Sequence, residues 1–491
     1  MFESAEIGNS ITDREYAREE PKLREALLKA QYDLLAKKSF PVILIIGGVD
    51  GAGKGETVNI LNEWMDPRHI VTHAFGEMSD EEGERPRMWR YWRALPPKGR
   101  IGILFGAWHT DPIVQCVQGK TNPAQLETAL DRMVRFEHML VEEGALILKF
   151  WFHLSKKAQK KRLKTLAANP KTRWRVTETD WERFKLYERF RTVSESALRQ
   201  TSTAHAPWTI IEGVDPNYRY LTAGRTLLDA LRERLAGGQP AVSRPAAPPE
   251  RAGNGRTLLS RVNYAASLAR KEYRQKLEKY QGELNLLTRH KRFRRRSLIL
   301  VFEGLDAAGK GGAIRRVTAA LDARHYQVIP IAAPTEEERA QPYLWRFWRH
   351  LPRQGRVTIF DRSWYGRVLV ERVEKFCSEE DWMRAYHEIN DFEEELLDAG
   401  AIVAKFWLTI TPQEQLKRFR AREKTPFKSF KITPEDWRNR EQRPAYDRAV
   451  CDMIERTSTE SAPWFVIPAN DKYLARIEVL KTICDRTAAA F

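Results

Sequence analysis

Cysteine is scarce in this chain of 491 residues, which contains only Cys116, Cys377, Cys451 and Cys484. The four form no CxxC pair and no paired framework, which argues against a disulfide-stapled secreted protein and against a zinc module. No apolar run approaches the roughly 18 residues that a membrane span requires. The start MFESAEIGNS carries acids where a signal peptide needs basic and then apolar residues. We therefore expect a cytoplasmic protein without a membrane partner.

Acidic residues are outnumbered by basic ones, since 66 Asp and Glu face 83 Lys and Arg, for a net charge of +17. Such an excess attracts polyanions at long range. The hydrophobic content of 42%, with 15 Trp and 21 Phe, excludes a mostly disordered chain. Charge alone does not distinguish nucleic acid, a membrane surface and a phosphate chain as the partner.

The sequence consists of two similar halves. The segment GGVDGAGKGE at residues 47–56 returns as EGLDAAGKGG at residues 303–312, a shift of 256 positions. The same shift relates PRMWRYWR to PYLWRFWR, KFWFHLS to KFWLTIT, and TSTAHAPW to TSTESAPW. Four blocks with one offset predict a tandem duplication. Residues 236–256 are rich in Pro, Gly and Ala and predict a linker between domains at 1–235 and 257–491.

Each half has the pattern of a parallel α/β sheet. Residues 40–48 and 297–304 are continuous apolar runs, typical of strands covered on both faces. Each run opens into a glycine-rich loop and a helical pattern, and further apolar runs alternate with charged segments. We predict the α/β class, with tandem duplicated kinase-like domains that each contain a mostly parallel sheet flanked by helices.

The glycine-rich loops match the phosphate-binding pattern GxxxxGK, from Gly48 to Lys54 and from Gly304 to Lys310. Their backbone N–H groups converge on a phosphate, the following helix adds its dipole, and the lysine reaches the phosphoryl group. The expected phosphate-binding loop residues of the second half are Gly304, Ala307, Ala308, Gly309, Gly311 and Gly312. The residual loop of the first half contributes Asp50, Gly53 and Lys54.

One departure from the usual loop concerns the metal. The Ser or Thr that normally follows the lysine and binds Mg²⁺ is replaced by Gly55 and Gly311. Asp306, inside the second loop, offers a carboxylate that would serve the metal instead. The alternative is a carboxylate that only stabilises the turn.

The second half carries a further acid after a buried run. Asp361 lies at the carboxyl end of a predicted strand, where P-loop kinases place a metal-directed acid. Arg362, Arg367 and Arg372 follow at five-residue spacing and suit bidentate phosphate contacts, although a solvated helix face is the alternative. In the first half Phe105 stands at the position of Asp361, so that half has lost its acid.

A basic segment at residues 416–437 predicts a lid that closes over phosphates and excludes water. The alternative is a solvated charged surface. Its cations include Arg418, Arg422, Lys424 and Lys428. The first half is poorer in charge at the start of the corresponding segment, which again indicates a diverged and inactive domain.

These residues together identify a resemblance. The loop GLDAAGKGG, the segments PTEEERAQPYLWRFWRHLP and DRSWYGRVLVERV, and the basic lid resemble the polyphosphate kinase 2 family. The tandem arrangement resembles its two-domain class, which moves the terminal phosphoryl group of inorganic polyphosphate to AMP and yields ADP. The resemblance implies Mg²⁺ as the metal, held by Asp306 and Asp361, and phosphate contacts from the lid cations. It also implies a catalytic set of Asp306, Lys310, Asp361 and Arg362.

Two other functions stay open at this point. The first is a nucleoside monophosphate kinase that uses ATP, although the excess basic charge and the missing Ser or Thr then have no explanation. The second is a P-loop module that binds polyanions or nucleic acid without turnover. We expect no nucleic-acid partner, since no RNA- or DNA-binding motif is found. The acceptor base, the direction of transfer and self-association into a homo-oligomer are not fixed by the sequence.

Overall fold

The fold is taken from a computed structural model, which describes residues 1–238, 258–430 and 432–491. The side chains of Phe427 and Lys428 are outside the description. The predicted linker at residues 236–256 lies, from residue 239 onward, outside the described residues. The domain limits 1–235 and 257–491 therefore stay a prediction.

The described residues group into two compact units. The first comprises residues 1–78, 90–238 and 335–345, and the second comprises residues 79–89, 258–334, 346–430 and 432–491. Residues 79–89 and 335–345 are equivalent positions of the two halves. Each unit thus includes the matching short segment of the other half.

The first unit contains a five-stranded sheet. Its strands are β1 (Val42–Gly48), β2 (Ile70–Ala74), β3 (Ile101–Phe105), β4 (Leu146–His153) and β5 (Trp208–Glu212). The spatial order is β2-β3-β1-β4-β5, and every pairing is parallel. Strand β1 is apolar and buried at its centre, as the uninterrupted hydrophobic run predicts.

The second unit repeats this sheet. Its strands are β6 (Ser297–Gly304), β7 (Tyr326–Pro330), β8 (Val357–Asp361), β9 (Ala401–Thr409) and β10 (Trp464–Pro468). The order β7-β8-β6-β9-β10 is the same, and again every pairing is parallel. The predicted duplicated α/β architecture is confirmed.

Helices cover the sheets. Those of the first half are α1 (Asp13–Lys37), α2 (Lys54–Trp64), α3 (Asp80–Gly83), α4 (Trp89–Ala94), α5 (Thr110–Val117), α6 (Pro123–Glu142), α7 (Lys156–Ala168), α8 (Glu178–Lys185), α9 (Tyr187–Thr201) and α10 (Pro216–Leu235). Those of the second half are α11 (Arg270–Arg289), α12 (Lys310–Thr318), α13 (Glu336–Arg339), α14 (Trp345–Trp348), α15 (Val370–Val373), α16 (Glu379–Asp398), α17 (Pro412–Glu423), α18 (Pro426–Ser429), α19 (Pro434–Glu441), α20 (Arg443–Thr457) and α21 (Lys472–Ala489). Among the described residues, none of these helices is long and apolar enough to cross a membrane.

The topology places the candidate site at the carboxyl ends of the central strands of the second sheet. Strand β6 lies between β8 and β9, and Phe302 of β6 pairs with Asp361 of β8. The loops that leave β6 and β8 therefore start side by side at the carboxyl edge. In open parallel sheets this reversal of strand order is where ligands bind.

Candidate active site

The loop between β6 and α12 owes its shape to unusual backbone angles. Gly304 has φ 145°, and a Cβ there would lie 2.3 Å from the carbonyl oxygen of Leu408, so only glycine fits. Gly309 has φ 112° and is the N-cap of α12. Ala307 has φ 63°, a left-handed conformation that is strained for a residue with a side chain. The loop thus opens directly onto the N-terminus of α12, as phosphate binding requires.

Lys310 is the first residue of α12, and its side chain folds back over the loop. Its Nζ donates a hydrogen bond of 2.6 Å to the carbonyl oxygen of Gly304. The ammonium group is therefore held beside the backbone that is expected to surround a phosphate.

Asp306 lies in the middle of the loop with its carboxylate engaged on two sides. Its Oδ2 accepts a hydrogen bond of 3.0 Å from Nδ2 of Asn439 in α19, and its Oδ1 lies 3.5 Å from a guanidinium nitrogen of Arg362. The side chain is only 16% exposed. The contacts fix the direction of this carboxylate without consuming all of its acceptor positions.

Asp361 ends β8 next to the loop, and Arg362 directly follows it. Arg362 has φ 66°, so it is the second non-glycine residue at this site in the left-handed region. Its side chain is 50% exposed and extends toward Asp306. Strain concentrated at two neighbouring loops is typical of functional sites, where surrounding structure enforces the geometry.

These groups line one open cavity of about 560 Å³, called the P-loop cavity below. Its lining comprises residues 305–312, Arg315, Pro330, Ile331, Asp361, Arg362, Arg422, Thr433, Glu435, Asp436 and Asn439. The structure therefore brings together Asp306, Lys310, Asp361, Arg362 and Arg422, as predicted. The predicted loop residues Ala307, Ala308, Gly309, Gly311 and Gly312 lie in the same lining.

Arg418 has a different position from the one expected of a phosphate ligand. It is nearly buried on α17, and its guanidinium donates to the carbonyl oxygens of Ala307 and Ala308 at 2.9 and 3.0 Å. It also donates to the carbonyl oxygens of Ala469 and Asn470 and to Oε1 of Glu414. All five N–H donors of an arginine are thereby directed at protein oxygens. Arg418 thus braces the loop from behind in this structure, and its role as a phosphate ligand stays a prediction.

Arg367 and Arg372 also differ from expectation. Arg367 pairs with Glu371 at 2.9 Å, and Arg372 pairs with Asp452 at 2.7 Å and lies over the ring of Trp382. Neither belongs to the lining of the P-loop cavity. Their five-residue spacing does not carry them to the site because Trp364–Val368 form a 3₁₀ turn that redirects the chain.

The remaining lid residues are placed unevenly. Lys424 is the C-cap of α17 and is exposed, outside the lining of the P-loop cavity. The side chain of Lys428 lies outside the described part of the chain. Of the predicted lid cations whose side chains the structure describes, Arg422 is the one that lines this cavity.

Sequence reasoning missed Glu303, the residue before the loop. Its carboxyl is buried and accepts a hydrogen bond of 2.8 Å from Oγ of Ser363, which directly follows Arg362. Burial raises the pKa of Glu303 to about 7. A comparison of the two halves could have pointed to this pair, because Glu303 is replaced by Gly47 and Ser363 by Ala107 in the first half.

Asn439 was missed as well, although it contacts the loop aspartate. Its counterpart in the first half is Arg183, which approaches Asp50 at 3.6 Å. The same helix position therefore reaches the loop acid in both units. Comparing the two halves residue by residue would have found it, since the amide and the guanidinium both donate to a carboxylate.

The first unit has a loop of similar shape with a different interior. Lys54 donates to the carbonyl oxygen of Gly48 at 2.7 Å and pairs with Asp50 at 3.6 Å. Burial lowers the pKa of Lys54. At the end of β3, Phe105 and Gly106 stand where the second unit has Asp361 and Arg362. Asp50 matches Asp306, but the strand-end acid Asp361 therefore has no counterpart in the first unit.

A carboxylate of the chain itself lies next to the first loop, at the start of the helix that follows it. Glu56, in the first turn of α2, pairs with Arg162 at 2.9 Å, Arg175 at 3.2 Å and Arg219 at 2.9 Å. Arg219 is almost fully buried and packs against Gly53, where a Cβ would lie 2.3 Å from the guanidinium carbon. Three cations at the start of a P-loop helix thus share one internal carboxylate.

Comparison with known proteins agrees with this geometry. The family model described as "Polyphosphate kinase 2 (PPK2)" matches residues 10–237 and 267–490. The chain belongs to the polyphosphate kinase 2 family. Both halves match, which confirms the resemblance and the duplication.

The relatives of this polyphosphate kinase 2 chain extend over its whole length. It is 55% identical to a polyphosphate:AMP phosphotransferase of Pseudomonas aeruginosa, over 100% of this chain and 99% of the relative. It is 37% identical to a polyphosphate:AMP phosphotransferase of Acinetobacter johnsonii, over 96% of each. The crystal structure of a polyphosphate kinase 2 from Pseudomonas aeruginosa superimposes with a TM-score of 0.90 at 54% identity, over 100% of this chain and 99% of that one.

The P-loop cavity fits a hard divalent cation. Asp306 and Asp361 bring two carboxylates into one lining. Among the described residues, no group of three or more His, Cys, Asp or Glu forms a metal cluster. A cation bound by two carboxylates completes its shell with phosphate oxygens and water, which is how Mg²⁺ is held in phosphoryl-transfer sites.

Proposed function

We propose that this protein transfers the terminal phosphoryl group of inorganic polyphosphate to AMP, forming ADP, with Mg²⁺, and that the reaction takes place in the P-loop cavity of the second unit. The single observation that carries the proposal is that Asp306, Lys310, Asp361 and Arg362 line one cavity. The names of the full-length relatives support polyphosphate as donor and AMP as acceptor.

The loop provides the site for the transferred phosphoryl group. Backbone N–H groups at the start of α12 and the ammonium group of Lys310 supply positive potential where three phosphoryl oxygens gather charge. Arg362 and Arg422 add guanidinium groups to the same cavity. For a loose transition state, positioning and charge neutralisation account for most of the catalysis.

The acceptor chemistry requires little from the protein. An AMP phosphate oxygen is anionic at neutral pH, so no general base has to remove a proton. Asp306 is held by Asn439 and Arg362 and is suited to orient ligands. When bound, Mg²⁺ neutralises phosphate charge and draws donor and acceptor oxygens together. Asp306 and Asp361 are the residues that would hold it.

The first unit has a supporting role in this proposal. Phe105 replaces the strand-end acid, and the carboxylate of Glu56 forms ion pairs with the arginines beside the loop. Without a second metal-directed carboxylate, and with an internal anion at the helix start, the first loop is not expected to turn over substrate.

A donor and acceptor matrix tests the function. The full-length enzyme is incubated with Mg²⁺ and each of AMP, GMP, ADP and GDP against polyphosphate and ATP, and nucleotide products are separated by chromatography. ADP formed from AMP with polyphosphate supports the proposal. Transfer from ATP alone would establish an ordinary nucleoside monophosphate kinase, and tight polyphosphate binding without product would establish a binding module.

A further inference from the structure

A second cavity, of about 250 Å³, also borders the loop and is called the basic cavity here. It shares Ala307, Ala308, Gly309, Gly312 and Arg422 with the P-loop cavity. Its other walls come from β9, α12, α17 and α21, through Leu408, Ala313, Arg418, Ala421, Lys472, Ala475 and Arg476. The loop and the start of α12 therefore border both cavities.

The two cavities differ in charge. The P-loop cavity contains carboxylates, among them Asp306, Asp361 and Glu435. Among the described residues that line the basic cavity, every charged one is a cation, supplied by α17 and α21. A ligand that extends from the metal-binding side into the basic cavity thus meets only positive charge, as a polyanion requires.

Gly312 leaves room for an anion at the boundary. The three atoms nearest to a Cβ built at this position all belong to the guanidinium group of Arg476, with the closest nitrogen at 3.3 Å. Gly312 is in the first turn of α12, where the helix dipole favours negative charge. The guanidinium of Arg476 therefore borders the space that a side chain at 312 would fill.

The first unit shows what this space accepts. The residue equivalent to Gly312 is Glu56, and its carboxylate pairs with Arg162 of α7 and Arg219 of α10. These helices correspond to α17 and α21, in which Arg418 matches Arg162, whereas Arg476 stands one position after Ala475, the match of Arg219. One half thus carries its own anion between the two helices, and the other half has glycine there and an open cavity.

We propose that the basic cavity binds the part of the polyphosphate donor behind the transferred phosphoryl group, with Arg476 as a specificity-determining residue. The inference rests on the proposed function and adds the path of the donor chain. None of the described lining residues is aromatic, so the cavity offers no stacking surface for a donor adenine. Arginine is the side chain best suited to grip successive phosphates.

Chain-length dependence tests the proposal in the full-length enzyme. Rates of ADP formation at saturating AMP are measured with tripolyphosphate and with long-chain polyphosphate. Arg476→Ala is expected to lower kcat/KM for the long donor about tenfold or more, the usual effect of losing a charge-assisted hydrogen bond. Its effect on tripolyphosphate is expected to be no larger than that of Lys481→Ala, which removes an exposed cation from the same helix.

A second variant copies the first unit. Gly312→Glu places a carboxylate beside Arg476, as Glu56 does beside its arginines, and is expected to abolish use of the long donor. AMP binding, measured calorimetrically without donor, is expected to remain. Gly312→Gln matches the size without the charge and should retain more activity than Gly312→Glu.

Three results would overturn the proposal. Equal losses on both donors for Arg476→Ala would assign that residue to the transfer step and leave the proposed function standing. Equal losses for Gly312→Glu and Gly312→Gln would show that bulk rather than charge matters at the boundary. If the parental enzyme does not use polyphosphate at all, the proposed function fails in its own assay, and the donor path fails with it.

Discussion

The side-chain amide of Asn439 donates a hydrogen bond to Oδ2 of Asp306 over 3.0 Å. Asn439 lies on α19, whereas Asp306 lies in the loop that follows β6. The bond therefore ties α19, which lines the cavity, to the carboxylate that we propose as a metal ligand. Movement of α19 and orientation of Asp306 are coupled through this contact.

Asn439→Ala is expected to lower kcat by roughly tenfold, because hydrogen bonds to charged groups contribute about 1.5–3 kcal/mol. ADP formation from AMP and polyphosphate gives the measurement. Arg183→Ala, at the matching position of the first unit, is the control and should leave kcat unchanged. A folded Asn439→Ala enzyme with parental kcat would show that Asp306 keeps its orientation without the amide.

Asp361→Asn is expected to reduce kcat by about 10²–10³ while the enzyme stays folded, since the exchange removes a metal-directed carboxylate without changing its size. Turnover and thermal unfolding are measured together. The matched change Phe105→Leu in the first unit should affect neither turnover nor AMP binding. Near-parental turnover of Asp361→Asn would remove this residue from the catalytic set.

The two loop lysines separate the roles of the two units. Lys310→Ala is expected to lower kcat about 10²–10³-fold through the loss of charge at the transferred phosphoryl group. Lys54→Ala should leave kcat nearly unchanged, because Lys54 is occupied by Asp50 and Gly48. The opposite pattern would place the reaction in the first unit.

Arg418→Ala is expected to destabilise the second unit by about 2–4 kcal/mol, because four backbone carbonyls lose their buried donors. Arg418→Lys should recover little, since one ammonium group cannot replace the planar fork. Arg162 is the counterpart of Arg418 in the first unit and is about one-third exposed, so Arg162→Ala should lower the free energy of unfolding by only about 0–1 kcal/mol. Urea unfolding followed by circular dichroism gives these values. Equal costs at both positions would refute the bracing role.

Glu303 gives the second unit a pH-dependent stability. Its pKa is raised by burial from 4.5 to about 7, so the folded state holds a proton that the unfolded state releases above pH 4.5. The stability that this proton contributes is fully present below pH 4.5. As the pH rises to about 7, the free energy of unfolding falls by roughly 3 kcal/mol at most. Urea unfolding of Glu303→Gln between pH 5 and pH 8 should lack this decline. A parallel pH dependence in both proteins would contradict the assignment.

The fold was largely predictable from the sequence. The continuous apolar runs identified β1 and β6, and the constant shift of 256 residues carried each element of one half onto the other. The short segments at residues 79–89 and 335–345 were not assignable, because sequence continuity does not determine which core a short segment joins.

The site was predictable where chemistry is set by local pattern. Asp306, Lys310 and Asp361 follow directly from a loop motif and a strand end. Arg418 and Arg372 were expected at phosphates because their charge is visible in sequence, whereas the carbonyl oxygens and the carboxylate that engage them come from distant segments. Asn439 and Glu303 carry no motif, and only their contacts reveal them.

The arrangement of Glu56 constrains how the first half would acquire a complete site by mutation. Phe105→Asp alone supplies a strand-end acid but leaves the guanidinium groups of Arg162, Arg175 and Arg219 on Glu56. Removing Glu56 alone leaves adjacent cations, one of them buried, without their counter-charge, which costs stability. Neither step brings a benefit without the other. Selection that acts on one substitution at a time is therefore expected to keep the division of labour between the two halves.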